Sequence, residues 1–546
     1  MSHQYDNNPS VLLLEHTYDE LGRLQTDKLD NGIYATDYAY NIRNWLTGIE
    51  GGKFSQSLHY TDGLGVPCYN GNISSMTWKS GAGATPRGYK FSYDRLGRLT
   101  DAEYGEGPSL SVNTNRFNEQ VTGYDKMGNI LGLKRYGQTS ATGYDVIDDL
   151  SLSYAGNRLK KVTDRSTTPA FNNGFEFKDG IDLPTEYEYD ENGNLTKDLN
   201  KNITAIQYNC LNLPSRVMFA NGNSISYLYD AAGRKLRTVH VLEGDSVTTD
   251  YCGNVVYENG VPQILLTEVG YVSLTDGQYH YYLKDHQGNN RVVVDEEGTV
   301  EEVNDYYAFG GLMSTSSRQS VQPYKYNGKE LDRKGGLGWY DYGARMYDAA
   351  LGRFMKTDRF SEKYVSLSPY QYGANNPVNN IDVNGDNVYV SGEFSGGRKF
   401  NDIAVGEFDS PQEFLNSPYN SYGASDDMSI NTYGFSEGYM IPTSKEQDDI
   451  IRDTFISISK NESYDFLGNN CSTVVQKSLE AAGIITFTQK STRHRIPSSH
   501  YLGESSFIAT ISTSRPVIPS VSFRAIIKNN PQGLSLIHIS EPTRLL

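Results

Sequence analysis

Basic residues, cysteine and long apolar runs are all scarce in this chain. Its 546 residues include 49 Lys and Arg against 66 Asp and Glu, a net charge of −17, whereas neutralising phosphates requires clustered basic residues. The four cysteines, Cys68, Cys210, Cys252 and Cys471, form no CxxC pair and no His/Cys metal spacing, which argues against a zinc site or a disulfide framework. The composition therefore predicts neither a nucleic-acid partner nor a metal or other cofactor.

Membrane and export signals are also missing. No apolar run approaches the ~20 residues that a bilayer span requires, so no membrane span is predicted. The N-terminal sequence lacks a basic region followed by an apolar core, which argues against a signal peptide. It enters a repeat almost at once, so we expect an N-terminally truncated chain.

Tyrosine and glycine are abundant, with 42 and 53 copies. That combination indicates many short strands joined by tight turns rather than a leucine-rich helical core. One short phrase recurs at irregular spacing, within the range of repeat architectures. Its clear copies are residues 18–24 (YDELGRL), 93–99 (YDRLGRL), 124–130 (YDKMGNI), 189–195 (YDENGNL) and 229–236 (YDAAGRKL), and its weaker copies are residues 40–46, 154–159 and 208–213.

Each copy of the phrase predicts a β-hairpin turn. The tyrosine ends a strand and packs along the sheet. The aspartate caps the turn through its side-chain oxygen, and the glycine takes the positive φ that the turn demands. Arginine or asparagine starts the returning strand, and the leucine points inward. Because no single hairpin buries its own face, stacked hairpins must share a continuous sheet.

Residues 279–385 carry the most specific pattern in the chain. The matching residues are YLKDHQGN at 282–289, YNGKE at 326–330, GARMYD at 343–348, LGRF at 351–354, Asp358 and NPVN at 376–379. These phrases and the repeats before them resemble the YD-repeat, or RHS, family of bacterial RHS proteins, toxin-complex C subunits and teneurins, together with its repeat-associated core.

The resemblance implies a mainly β fold, a spiralling hairpin sheet that forms a hollow shell with the core plugging one end and C-terminal cargo inside. The predicted domains are repeats at 1–276, the core at 277–386, and a small α+β effector-like domain at 387–533. The final residues, 534–546, look like a non-native tail and are left out of the functional interpretation, with His538.

The resemblance further implies that the core is an aspartyl protease that cuts its own chain after a D-P-x-G-L-like motif. The matching positions are Arg353, Asp358 and Asp382. Two carboxylates that share a proton can serve as base and acid, and a nearby arginine would keep one ionised. Val383 replaces the proline of the motif, and Asp386 stands where leucine or tryptophan is expected.

Two structural alternatives apply to these core residues. Aspartate is favoured in turns, so the alternative is that Asp358 and Asp382 are turn residues without chemistry. His286 lies in a predicted turn. No residue near it in sequence is a candidate nucleophile for it to activate, so we interpret it as structural.

The strongest chemical pattern in the C-terminal region is NNCSTVV at 469–475. Asn469 or Asn470 can cap a helix that begins at Cys471. The positive end of a helix lowers the pKa of a thiol there and favours the thiolate. A buried cysteine without chemistry is the structural alternative.

This pattern, followed by LEAAG, resembles circularly permuted papain-like cysteine hydrolases. That resemblance implies Cys471 as nucleophile and Asn470 as an orienting or oxyanion group. The family's upstream histidine is missing, because no histidine lies between His286 and Cys471. His494 or His500, downstream, is therefore the candidate base.

Two functional hypotheses follow from the sequence. The first is a fragment of a secreted or cell-surface polymorphic toxin, whose partners would be a cognate immunity protein, delivery machinery and its own C-terminal cargo. The second is a secreted or cell-surface YD-repeat scaffold without enzymatic activity. Carbohydrate binding rests only on the tyrosine content, which hairpin packing already explains.

Overall fold

The computed structural model describes residues 2–3, 10–81, 84–318, 321–363, 366–386 and 388–390, and the backbone of four later strands. The chain divides into two units, chiefly residues 1–398 and 399–545, and each is described by itself. Among the described residues, the helical segments are single 3-10 turns at Asp30–Gly32, Phe171–Asn173, Tyr326–Gly328, Lys334–Gly336, Ser361–Lys363 and Gly373–Asn375. No helix there is long and apolar enough to span a bilayer.

The first sheet has twelve strands, each antiparallel to the next in sequence. It follows a small pair, β1 (Ser2–His3) and β2 (Val11–Leu12). Its strands are β3 (Leu14–Tyr18), β4 (Leu24–Leu29), β5 (Tyr34–Tyr40), β6 (Leu46–Gly51), β7 (Phe54–His59), β8 (Ser75–Ser80), β9 (Arg87–Tyr93), β10 (Leu99–Glu106), β11 (Glu119–Tyr124), β12 (Ile130–Gln138), β13 (Tyr144–Ala155) and β14 (Arg158–Asp164).

The second sheet has thirteen antiparallel strands, again in sequence order. They are β15 (Tyr187–Tyr189), β16 (Leu195–Asp198), β17 (Ile203–Tyr208), β18 (Pro214–Phe219), β19 (Ser224–Tyr229), β20 (Lys235–Leu242), β21 (Asp245–Cys252), β22 (Val255–Glu258), β23 (Val261–Leu266), β24 (Gly270–Ser273), β25 (Tyr279–Lys284), β26 (Asn290–Asp295) and β27 (Val300–Val303). Strand β25 pairs with β24, so the sheet runs across the predicted domain boundary at 276/277.

Shorter strands complete the described chain. The core contains a four-stranded sheet of β28 (Glu330–Asp332), β29 (Trp339–Asp341), β30 (Met346–Asp348) and β31 (Arg353–Phe354), and then the pair β32 (Asn380–Asp382) and β33 (Val388–Val390). The second unit has β34 (Ile403–Phe408), β35 (Glu437–Ser444), β36 (Ser505–Ser512) and β37 (Leu534–His538) in the order β34-β36-β35-β37. Five residues of the predicted tail thus form a strand.

Alternation along the strands explains which face of each sheet is buried. In β7, Phe54, Gln56 and Leu58 are buried while the residues between them are partly exposed, as expected when successive side chains point to opposite faces. The inner faces of both sheets join one apolar cluster. That cluster also contains core residues such as Phe309, Met313, Leu351 and Met355. The prediction of a mainly β fold is confirmed, and residues of the core pack in the same apolar cluster as the inner faces of both sheets.

Candidate functional site

The repeat turns have the predicted chemistry. In the turn at 93–99, Asp94 Oδ1 accepts the Arg98 backbone N–H at 3.0 Å, and Asp94 Oδ2 accepts Arg98 Nε at 2.7 Å. Gly97 has φ +76°, and Leu99 is fully buried. The turns at Asp19, Asp125, Asp190 and Asp230 repeat this capping bond to the backbone N–H four residues on. The phrase therefore closes a turn by itself.

Hydrogen bonds also link successive turns, which the repeat phrase did not predict. A tyrosine hydroxyl at or just after the end of one strand donates to a backbone carbonyl at or near the start of an earlier strand. The pairs are Tyr40 to Leu24 (2.9 Å), Tyr60 to Leu46 (2.8 Å), Tyr93 to Ile73 (2.8 Å), Tyr124 to Leu99 (2.6 Å), Tyr154 to Ile130 (2.7 Å) and Tyr208 to Leu195 (2.6 Å). These bonds set the turns in a row along each sheet.

The described part of residues 353–380, here called the belt, lies along that row of turns. Its side chains donate to the carbonyl oxygens that the turns leave exposed. The contacts are Asn376 to Gly97 (2.9 Å), Asn375 to Gly128 (2.8 Å), Arg353 to Asn157 (3.1 Å), Thr357 to Asn192 (3.2 Å), Tyr370 to Gly193 (2.8 Å) and Lys356 to Asn212 (2.9 Å). The belt thereby contacts turns of both sheets.

Two aspartates meet where the belt ends. Arg345 Nη2 donates to Asp358 Oδ2 at 2.9 Å and to Asp382 Oδ2 at 2.9 Å. The Arg345 side chain is only 1% exposed, and those of the two aspartates are 8% and 0% exposed. Because both carboxylate oxygens accept a hydrogen bond from the same Arg345 nitrogen, they lie no farther apart than the sum of the two hydrogen-bond distances. Asp358 and Asp382, here called the carboxylate pair, form a buried site with one shared arginine.

The chain around Gly385 is held by the same residues. Asp382 Oδ1 accepts the Gly385 N–H at 2.7 Å, and Arg345 Nε donates to the Gly385 carbonyl oxygen. Gly385 has φ +82°, and a Cβ there would approach Arg345 N at 2.9 Å, so the position requires glycine. The predicted cut-site motif is therefore packed directly on the carboxylate pair.

Further charges surround this site. Lys329 Nζ donates to the Val383 carbonyl oxygen at 2.5 Å, and burial lowers the pKa of Lys329 although Asp382 opposes that shift. Burial lowers the pKa of Lys356 to about 8, with Asp386 opposing. Burial raises the pKa of Asp386, and Arg359 opposes that rise. Cations thus flank the motif on both sides of Gly385.

The arginine beside the carboxylates is not the predicted one. Arg353 donates to the Asn157 carbonyl at 3.1 Å and lies over the Tyr154 and Tyr370 rings, at 5.2 and 4.8 Å from their centroids. Arg345 occupies the predicted position instead, because β30 and β31 form a hairpin that separates the two arginines. Arg345 could have been found from the sequence, because it lies in the specific GARMYD phrase at 343–348.

The remaining predicted site residues divide into two groups. His286 contacts Gln56 Oε1 at 3.2 Å through Nδ1 and the Val378 carbonyl at 3.0 Å through Nε2, and burial lowers its pKa. These contacts fit its structural interpretation. The candidate effector residues lie outside the described residues and stay predictions: Asn470, Cys471, His494 and His500.

Comparisons with known proteins bear on the repeats and the core. No protein-family model matches the chain. It is 30% identical over 223 residues to salivary gland surface protein 1 of Aedes aegypti, covering 36% of this chain and 6% of that protein. It is 26% identical over 406 residues to the tRNA3(Ser)-specific nuclease WapA of Bacillus spizizenii, covering 68% of this chain and 15% of that protein.

The comparison with solved structures supports the fold. The crystal structure of TcdB2-TccC3 has a TM-score of 0.52 and 18% identity, covering 70% of this chain and 20% of that chain. The chain therefore spans only a small part of each relative. At this identity the likeness shows a shared fold, the large antiparallel sheets of the repeat shell.

Proposed function

We propose that this chain is the repeat-and-core portion of a secreted or cell-surface polymorphic toxin with a C-terminal effector, and that the core cuts the chain after Asp386. The fold shared with TcdB2-TccC3 and the similarity to WapA nucleases support the toxin class. The observation that carries self-cleavage is Arg345 bridging Asp358 and Asp382 at 2.9 Å each beside Gly385.

The charges at the carboxylate pair suit acid–base chemistry. Two carboxylates on one buried guanidinium are an arrangement in which one carboxyl can serve as acid and the other as base. Arg345, 1% exposed, favours the ionised partner.

The proposed reaction is peptide hydrolysis. The ionised carboxylate takes a proton from water, whose oxygen attacks the carbonyl carbon of Asp386. The carbon–nitrogen bond to Asn387 breaks, and the protonated carboxyl gives its proton to the leaving amine. The products are a carboxylate at Asp386 and a free amine at Asn387. Asp382, which holds the Gly385 N–H at 2.7 Å, positions the segment for this attack.

The two carboxylates are positioned by different sheets. Asp358 follows Lys356 and Thr357, which bind turn carbonyls of the second sheet. Asp382 follows Asn379, whose side chain accepts the Ile73 N–H of the first sheet at 3.0 Å. The pair therefore assembles only when both sheets are folded, so that cutting would be delayed until the repeat portion is complete.

The effector class is the finer part of the proposal. Cys471 as nucleophile, with His494 or His500 as base and Asn470 as orienting group, makes the C-terminal region a cysteine hydrolase. The rival class is a nuclease, which the names of the Bacillus relatives favour. The two effector classes are separated by producing the full chain with Cys471→Ala. The full chain with Cys210→Ala is the control. A hydrolase loses its toxicity only in Cys471→Ala, whereas a nuclease keeps it and leaves degraded tRNA.

The second candidate function is a surface scaffold without enzymatic activity. It is favoured by the relative named salivary gland surface protein 1. A scaffold requires neither cutting after Asp386 nor an immunity protein or delivery machinery as partners.

The test of self-cleavage is the intact mass of the purified chain. We expect two fragments that meet between residues 386 and 387 in the wild type, and an uncut chain in Asp382→Asn and Arg345→Met. Asp230→Asn, which changes an aspartate in a repeat turn, is the control and should cut as the wild type does. An uncut wild-type chain would reject self-release and favour the scaffold.

A further inference from the structure

The residue before the proposed cut is acidic and almost completely buried. Asp386 is 2% exposed. Its Oδ2 lies 2.7 Å from Arg359 Nη2, and its backbone N–H donates to Asn384 Oδ1 at 3.2 Å. A buried carboxylate is stable only when a cation or hydrogen bonds compensate its lost hydration. Arg359 supplies that compensation from the solvent side, because its own side chain is 65% exposed.

Two more cations act on the Asp386 carboxylate. Arg345 and Lys356 both favour its charged form, as Arg359 does. Lys356 is also held in place, since its Nζ donates to the Asn212 carbonyl at 2.9 Å. An apolar residue at position 386 would leave Arg359 and Lys356 without this buried counter-charge, whereas Arg345 would keep Asp358 and Asp382.

A small apolar opening lies beside two of these cations. It borders Arg345 and Lys356, and its apolar lining includes Trp339, Met346 and Met355. Asp386 does not border this opening and pairs with Arg359.

We propose that Arg359, with Lys356 beside it, is the specificity-determining residue of the cut site and recognises an acidic side chain at the position before the cut. This inference rests on the self-cleavage proposed above. The class of substrate is a peptide segment of the form Gly-Asp or Gly-Glu, presented in cis by residues 385 and 386. After cutting, the new carboxylate at Asp386 lies among the same cations, which retain the end of the chain.

Cutting rates of matched variants test the selectivity. We expect Asp386→Glu to cut within a few-fold of the wild type, and Asp386→Leu and Arg359→Leu to cut at least 10-fold more slowly. The double variant Asp386→Leu/Arg359→Leu should recover part of that loss, because Arg359 is then no longer left without its partner, whereas Lys356 still is. Arg234→Leu is the matched control, since Arg234 is also 65% exposed and pairs with Asp230 at 2.6 Å. Wild-type cutting by Asp386→Leu would overturn the proposal.

A second measurement tests the pairing of Asp386 with Arg359 without requiring cleavage. All variants in this measurement also carry Asp382→Asn, so that none of them is cut. The thermal unfolding midpoints of Asp386→Leu, Arg359→Leu and the double variant then form a double-mutant cycle. Non-additive shifts of the unfolding midpoint support the pairing even if the wild type proves uncut, in which case self-cleavage alone fails. Additive shifts overturn the recognition by Arg359 whatever the cutting result.

Discussion

Aspartate and arginine meet in two regions of this molecule under different conditions. In the repeats, Asp94 and Arg98 are four residues apart, lie 2.6 Å from each other, and are 23% and 16% exposed. In the core, Arg345 joins aspartates 13 and 37 residues away, and its side chain is 1% exposed. The first pair forms from local sequence alone, whereas the second exists only after distant segments have packed.

The difference has an energetic consequence. Exposed ion pairs contribute about 0 to 1 kcal/mol because water competes for both partners. Removing one partner of a buried pair costs several times more, because the other charge remains in a medium of low polarity. The repeat turns are therefore individually replaceable, while the buried clusters decide whether the sheets and the core stay together.

The largest expected effect is at Arg135, which joins the first sheet to the core. It donates to Glu119 and Asp148, at 2.6 and 2.8 Å, and to the Ala350 carbonyl at 2.7 Å. We expect Arg135→Met to lower the free energy of unfolding by about 3 to 5 kcal/mol, because two buried carboxylates lose their cation. Denaturant unfolding measures the loss.

Arg234→Met is the matched control for this variant, because its ion pair closes an exposed repeat turn. Its loss should stay below about 1 kcal/mol. Equal losses in the two variants would remove the distinction between buried clusters and repeat turns.

The next effect depends on pH and concerns Asp198, which is fully buried. Burial raises its pKa to about 7, Lys201 opposes the rise, and Asp348 adds to it. Between the ordinary carboxyl pKa and pH 7 the folded chain binds the proton more tightly than the unfolded chain, so stability falls as pH rises through that window. We expect Asp198→Asn to exceed the wild type by roughly 2 to 4 kcal/mol at pH 8 and to match it at pH 4.

Unfolding midpoints at a series of pH values measure this effect. Asp145→Asn, in an exposed position of β13, serves as the control and should show no such crossing. A constant difference between Asp198→Asn and the wild type across the series would contradict the assignment to Asp198.

A smaller effect is expected where the belt contacts the first sheet. Asn379 accepts the Ile73 N–H at 3.0 Å and donates to the Tyr93 hydroxyl at 3.2 Å. Asn379→Ala leaves the buried Ile73 N–H unpaired and removes one bond to the Tyr93 hydroxyl, at a cost of about 1 to 3 kcal/mol. Because Asp382 lies three residues after Asn379, we also expect slower cutting, which is measured from the intact mass of the chain. Unchanged cutting in a clearly destabilised Asn379→Ala chain would show that the carboxylate pair assembles without this contact.

The smallest expected effect is in a repeat turn. Asp94→Ala removes bonds to two backbone N–H groups, from Leu96 and Arg98, and should cost about 1 kcal/mol. Although burial raises the pKa of Asp94, its bonds to Arg98 lower it overall. The contribution is therefore present at neutral pH and lost as pH falls through the lowered pKa. Thermal midpoints at neutral and acid pH measure it, and a difference that persists in acid would contradict the turn interpretation.

The sequence by itself determined the repeat turns. Within seven residues the phrase contains the strand end, the capping aspartate, the glycine for positive φ and the inward leucine, so nothing distant is needed to predict a hairpin. It also marked Asp358 and Asp382, which lie in short, specific phrases. The link from these tyrosines to a carbonyl at or near the start of an earlier strand was missed, because the partners are 13 to 25 residues apart at irregular spacing.

Only the tertiary structure decided which arginine serves the carboxylate pair. Arg345 and Arg353 are eight positions apart in similar phrases, and the hairpin of β30 and β31 sends one to Asp358 and Asp382 and the other to Asn157 and two tyrosine rings. The physical reason is that buried ion pairs join residues remote in sequence, whose meeting depends on how the belt lies along the turns of both sheets. Local pattern fixes a turn, whereas a buried site forms from the packing of the whole unit.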